Sequence, residues 1–229
     1  LDDSGNNNDW QPNGGITTDS TVTDTPTPYA DGGNYAVWNA VKLQGNSASN
    51  GNLTATLAAG GPPYPAGFGV RSTIGAPLTG KWYCEITPLN TDSYNGVGII
   101  DINTWNTDVN TIGNNVVYYR ASGSKYVNGV NNTTYGSSFA ANDIIGIALD
   151  TDAGTVTFYK NNASQGSITL PSISVSYCFL VTNGNAVAST FAANFGQRPF
   201  SYTPPTGFKS LHTGNLPDAA IENGSEYFD

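Results

Sequence analysis

Apolar and polar residues alternate with a period of two in a series of short stretches: Leu53–Leu57, Val70–Ile74, Trp82–Thr87, Val97–Ile102, Val116–Tyr119, Ile144–Leu149, Thr155–Lys160, Tyr177–Val181 and Ser189–Phe195. Each is bounded by Gly, Asn, Asp or Pro, the pattern of antiparallel strands joined by tight turns. Within Lys81-Trp82-Tyr83-Cys84-Glu85-Ile86, the side chains of Trp82, Cys84 and Ile86 share one face and those of Tyr83 and Glu85 the other. The first face is predicted to be core and the second polar surface. Val156 and Phe158 point inward from Thr155–Lys160 by the same count, while Thr155, Thr157 and Tyr159 point out. Gly154 can adopt a positive φ and close the hairpin that leads from Asp150 into that strand. No helical stripe extends beyond a turn or two. The prediction is an all-β chain of two packed antiparallel sheets, with Trp82, Ile86, Ile99, Ile147, Leu149, Phe158 and Phe195 in its core.

The flanks break this pattern. Residues 1–33 combine Asn, Asp, Gly, Thr and Pro with few apolar positions, too little apolar area to offset the entropy of ordering, so they read as a linker or extended arm. The sandwich is expected over residues 34–202. After Phe200 the run Thr203-Pro204-Pro205 predicts that the chain leaves it, making 203–229 a connector. A length of 229 residues suits one β-sandwich with tails. The chain starts at Leu1, contains no Met and opens with no signal-peptide pattern, so it reads as a segment of something longer. Nothing approaches the eighteen or so consecutive apolar residues of a membrane-spanning helix.

Composition narrows the chemistry. Charged residues make up 11% of the chain, against about 25% in ordinary soluble domains, so Asn, Thr, Ser and Gly must carry its surface polarity. Eight Lys and Arg against 17 Asp and Glu give a net charge of −9, which repels phosphate backbones and argues against a nucleic-acid partner. One histidine, His212, and two cysteines, Cys84 and Cys178, are too few for a four-ligand Cys/His zinc centre, and no metal or cofactor is expected. Asp150, Asp152 and Gly154 resemble the opening of a calcium loop, but its twelfth position, which needs Glu, is Asn161. A tight turn is the simpler reading. Glu85 and Asp101 could form a glycosidase pair only if they faced each other about 5–10 Å apart in a cleft, and Glu85 is assigned to a strand's polar face. His212 has no nucleophile-elbow Ser or Cys upstream and reads as a surface or linker histidine. The Asn-x-Ser/Thr triplets at Asn52, Asn131, Asn132, Asn162 and Asn223 follow from the Asn- and Thr-rich composition.

Gly80-Lys81-Trp82-Tyr83-Cys84-Glu85-Ile86, Val97-Gly98-Ile99, Ile144-Ile145-Gly146-Ile147-Ala148-Leu149-Asp150 and Val156-Thr157-Phe158-Tyr159-Lys160-Asn161-Asn162 resemble, in order and spacing, successive strands of a SPRY (B30.2) domain. The resemblance covers roughly Asn52 to Phe200. It implies a bent, jelly-roll-like β-sandwich that recognises partners with loops at one end, and a non-catalytic role. The flanking phrases, among them Asp9-Trp10-Gln11-Pro12-Asn13 and Asn194-Phe195-Gly196-Gln197-Arg198-Pro199-Phe200, resemble connectors in long multidomain structural proteins of marine bacteriophages. That context implies a virion protein assembled in the host cytoplasm, where Cys84 and Cys178 are expected as free thiols, a disulfide being the alternative if their strands are close. The Asp101–Asn115 loop departs from the SPRY pattern and leaves the peptide-pocket residues of animal members unmatched.

Candidate recognition residues are the aromatics assigned to loops, Tyr94, Trp105, Tyr126 and Tyr135, together with Arg120. Rings of this kind stack on sugar faces or pack against peptides while Asn side chains hydrogen-bond to hydroxyls, although the same rings could instead plug the ends of the sandwich. The expected function is a binding module of a tail fibre or capsid decoration, recognising a host-surface glycan or protein or a neighbouring virion chain, with homo-oligomers within the virion left open. The alternatives are a purely structural spacer or lattice element and, further off, a glycan-degrading enzyme. With so few basic residues, contact with an acidic cell surface would have to be short-range and nearly independent of salt. Trp105, in the long loop, is the residue expected to lead it.

Overall fold

The computed structural model describes residues 33–42, 45–59, 68–104, 115–184 and 187–217. Among these, two antiparallel sheets face each other and the only helical turns are of 3-10 type. The first sheet runs in the order β1 (Ser47–Ser49), β2 (Thr54–Leu57), β13 (Ser189–Asn194), β4 (Lys81–Pro88), β9 (Ile145–Asp150), β10 (Thr155–Lys160), β11 (Ala163–Thr169). A short β14 (Lys209–Ser210) joins it in parallel with Trp82 and Tyr83 of β4. The second runs β3 (Phe68–Arg71), β12 (Tyr177–Asn183), β5 (Gly96–Asp101), β6 (Val116–Arg120), β7 (Ser124–Val127), β8 (Val130–Thr134).

All seven predicted core residues are buried between the sheets. Phe158, Phe191 and Phe195 fill the interior with Trp38, whose ring meets Phe195 edge-on at 5.2 Å. Burying one such side chain contributes about 1.5–3 kcal/mol. A second apolar cluster, of Ile100, Val116, Tyr118, Tyr126, Cys178 and Leu180, lies on the other face of the second sheet. β5 and β12 are therefore buried on both faces, which is why they read as nearly continuous apolar runs. Cys84 belongs to the inter-sheet core and Cys178 to the outer cluster, so the second sheet separates the two thiols and both are free. Burial pushes both thiols above their ordinary pKa. The Asp150–Thr155 hairpin closes as expected, with Gly154 at φ 65° and Asp150 accepting from the Ala153 N–H at 2.8 Å.

Two expectations need correction. The face of β4 carrying Tyr83 and Glu85 is turned away from the core yet is buried, because the chain after Phe195 folds back across it. Phe200 meets Tyr83 edge-on at 5.0 Å, and the Glu85 carboxylate accepts from the Ser201 and Tyr202 N–H groups at 2.8 and 2.9 Å. An unpaired carboxylate on that face would be expensive to bury, and these two donors offset the cost. Glu85 and Asp101 lie on different sheets, and Asp101 is engaged by the Asn103 N–H and the Asn115 amide. Nor does the chain leave the sandwich at Phe200. β13 last pairs with β4 at Glu85, and β14 takes up the edge it vacates at Trp82–Tyr83. Leu211 is then fully buried and His212 bridges to Tyr35, its ring 4.7 Å from the tyrosine and its Nδ1 accepting from Gly214 N–H. His212 is thus half-buried in a clasp that also joins Asn34 to Thr213 by hydrogen bonds of 2.7 and 2.9 Å. Residues 1–32, and with them most of the expected arm, lie outside the described residues.

Candidate functional site: the loop end of the sandwich

At the Pro88 end of β4 several connections converge. The β4–β5 connection is a turn in which Asp92 N–H donates to Asn95 Oδ1 at 2.6 Å and Asn95 N–H returns to the Asp92 carbonyl at 2.9 Å. The Asn95 amide then donates to Asn183 Oδ1 at 3.1 Å and to Ser189 Oγ at 2.7 Å. Asn183 in turn donates to the carbonyls of Ala58 and Val187. Both asparagines are fully buried. Asn is suited to this place because its amide offers two donors and an acceptor without charge, so it can satisfy several loop carbonyls at once in a dry interior. Ala121 N–H donates to the Asn95 carbonyl, tying the β6–β7 turn to the same centre. Asn90 clamps the far side, donating to the Ala188 carbonyl and accepting from Thr190 N–H.

On this base three large apolar side chains reach the surface. Leu89, Tyr94 and Val187 are 46%, 36% and 61% exposed. They project from the two connections that the Asn95–Asn183 bond links. Tyr94 packs on Gly184, where a built Cβ would lie 3.4 Å from its own Cβ.

Beneath Tyr94 a row of side chains crosses the outer face of the second sheet. The Arg120 guanidinium lies 5.7 Å from the Tyr94 ring and 5.5 Å from that of Tyr118, and it donates to the Tyr118 hydroxyl at 3.2 Å. Tyr118 stacks on its cross-strand partner Tyr126 at 4.7 Å with the planes 8° apart. Gly96 and Gly98 on β5 make the row possible. A Cβ on Gly98 would fall 2.5 Å from Tyr118 Cβ, and one on Gly96 would fall 2.7 Å from the tyrosine ring. Burial pushes the Tyr118 phenol above its ordinary pKa, with Arg120 partly opposing the shift.

This architecture can be compared with known proteins. Residues 81–197 match the SPRY domain family. The chain belongs to that family. Its fold is similar to that of the SPRY domain of human HERC1, with a TM-score of 0.56 at 20% identity, covering 68% of this chain and 96% of that one. Stonustoxin matches with a TM-score of 0.54 at 19% identity over 70% of this chain, which spans only 27% of the toxin chain. SPRY domains are in general protein-interaction modules and typically non-catalytic.

The SPRY module disperses the five aromatic and basic candidates. Tyr94 is at the surface of the loop end. Arg120 and Tyr126 are in strands rather than loops and are 3% and 6% exposed; Arg120 backs the Tyr94 ring and Tyr126 stacks on Tyr118, so neither is presented to solvent. Tyr135 is elsewhere: its hydroxyl donates to the Gly166 carbonyl, its ring meets Tyr119 and Phe158 edge-on, and Lys125 lies 5.5 Å from it. Burial raises its phenol to about 12, and its position ties the end of β8 to β11 as packing. Trp105 lies outside the described residues. Sequence reasoning missed Leu89 and Val187, and missed the Asn95–Asn183–Ser189 centre. The available signal was the pair of Asn-Gly steps, 95–96 and 183–184, at strand ends. Among the described residues no group of three or more His, Cys, Asp and Glu could hold a metal ion, and no helix is long and apolar enough to cross a membrane.

Proposed function

We propose that this SPRY module is the recognition part of a bacteriophage virion protein and docks a partner, a host-surface protein or glycan, with its loop end. The observation that carries the reading is the exposed apolar triad Leu89, Tyr94 and Val187 held on a buried, fully neutral amide network. Loops on a rigid scaffold concentrate recognition, and a pre-ordered surface loses little entropy on binding. A tyrosine braced by a buried arginine gives a flat ring that stacks on a sugar or an apolar side chain. The virion setting is supported by the connector phrases alone. The clasp between Asn34 and Thr213 brings incoming and outgoing chain side by side, which suits a module hung from one point better than an in-line spacer.

The test is adsorption of the fluorescently labelled chain to a panel of marine bacteria. The expected result is saturable adsorption to some of them, reduced about tenfold or more by Tyr94→Ser with Val187→Asp, with an unchanged unfolding midpoint. Equal adsorption by the double variant would remove the loop end from the reading. Adsorption to no strain, together with self-association of the chain through the same surface, would favour a lattice element instead.

A further inference from the structure

The Lys81 end of β4 holds a pocket of about 290 Å³, lined in part by Thr79, Gly80, Lys81, Trp82, Lys209 and Leu216. β4 has eight residues, so this pocket and the Leu89 surface are separated by roughly 23 Å of strand. Two of the eight basic side chains of an acidic protein border it.

Trp82 is 3% exposed, and its indole N–H has no hydrogen-bond acceptor. A buried donor left unpaired costs about 1–3 kcal/mol, and such a group calls for an explanation. Gly80 supplies part of one. Its φ is +110°, and a Cβ built there would stand 3.2 Å from the indole nitrogen. The residue that would wall off the N–H edge of the ring has no side chain, and both residues line the pocket.

The charges define what fits. Lys81 pairs with Asp150 at 2.9 Å, and Asp152 accepts from the Gly80 N–H at 2.9 Å. Lys81 is already paired with Asp150, so among the described residues Lys209 is the ammonium left on the pocket to face a single negative charge. The donors, an indole N–H and an ammonium, ask for an acceptor with two oxygens. Leu216 and the face of Trp82 supply an apolar wall. We propose that this pocket binds a small organic monocarboxylate, one oxygen accepting from the Trp82 N–H after a slight shift of Gly80 and the other facing Lys209. The site is separate from the loop-end docking surface and does not depend on it.

The test is a titration of the ¹⁵N-labelled chain with sodium butyrate, read at the Trp82 indole N–H resonance, assigned through its proximity to Gly80. The neutral isostere butyramide and inorganic phosphate serve as comparisons. The expected result is a saturable shift with butyrate and binding at least about tenfold weaker for both comparisons. Lys209 is exposed, so Lys209→Gln should leave the unfolding midpoint in place while weakening butyrate about fivefold or more. Tyr94→Ser should leave the titration unchanged. An indole resonance that does not move with butyrate, phosphate binding as tight as butyrate, or full affinity in Lys209→Gln would each overturn the proposal.

Discussion

The loop cluster around Asn95 and the pocket beside Lys81 sit at the two ends of one strand, and they hold their polar groups in different ways. Around Asn95 the buried groups are uncharged amides and a hydroxyl whose hydrogen bonds are completed within the protein. Beside Lys81 a partly exposed ion pair and an exposed carboxylate-to-backbone bond flank a pocket whose lining includes Trp82, with its unpaired indole N–H. A neutral, satisfied network makes a surface stiff and leaves recognition to the apolar side chains on top of it. A charged site with a donor to spare is chemically unfinished.

Several experiments would break or sharpen that contrast. The largest effect is expected from Phe158→Ala, which removes a fully buried core ring packed against Tyr119 and Tyr135 and should cost about 4 kcal/mol in denaturant unfolding. It should loosen the two regions together. Asn183→Ala should cost about 3 kcal/mol, since it strands the Ala58 and Val187 carbonyls and an Asn95 donor. Its amide-exchange signature should be confined to residues 89–95 and 187–190. If exchange rose equally around Gly80, the ends would not be independent.

Acid should divide the regions in a different way. Burial alone would raise the Asp150 carboxyl, but the Ala153 N–H and the Lys81 ammonium outweigh it and hold it below its ordinary 3.8. At Asp143, burial is likewise outweighed by the Ala140 N–H, the Asn161 amide and Lys160. A carboxyl depressed in the folded state contributes stability that is present above the unfolded pKa and lost as pH falls through the folded one. Below about pH 4 the amide of Ala153, which donates to the Asp150 carboxylate, should therefore lose exchange protection before those of Asn95 and Ala121, whose acceptors are backbone carbonyls. Lys81→Met at neutral pH should cost no more than about 1 kcal/mol, because its side chain is 41% exposed and the pair is partly screened. The smallest stability effect, under about 0.5 kcal/mol, is expected for Tyr94→Ala, whose ring is at the surface. Partner docking at the loop end should still fall with it, and should change little between low and moderate salt.

Strands whose burial alternates or is continuous were legible from the chain alone. β4, β5, β9, β10, β12 and β13 fall where the pattern put them, within a residue or two at the ends, because one or both faces are excluded from water and the side chains record it. The strand expected over Val70–Ile74 ends at Arg71, where Ser72 turns its hydroxyl to the Ile74 carbonyl. β1, β7, β8, β11 and β14 were not legible: they are at sheet edges or next to them, short, polar or half-solvated, and a neighbour's free hydrogen-bonding edge makes them strands rather than their own composition. The SPRY motifs and the seven core residues were likewise present in the sequence. What the sequence could not assign was which polar residues would be covered. Glu85 reads as surface until a segment more than a hundred residues later crosses it. Arg120 and Tyr126 read as contact residues until the glycines of a neighbouring strand make room for Tyr118 between them. Alternation reports the side of a strand on which a side chain lies. Whether that side meets water depends on chain distant in sequence, and only tertiary structure decides it.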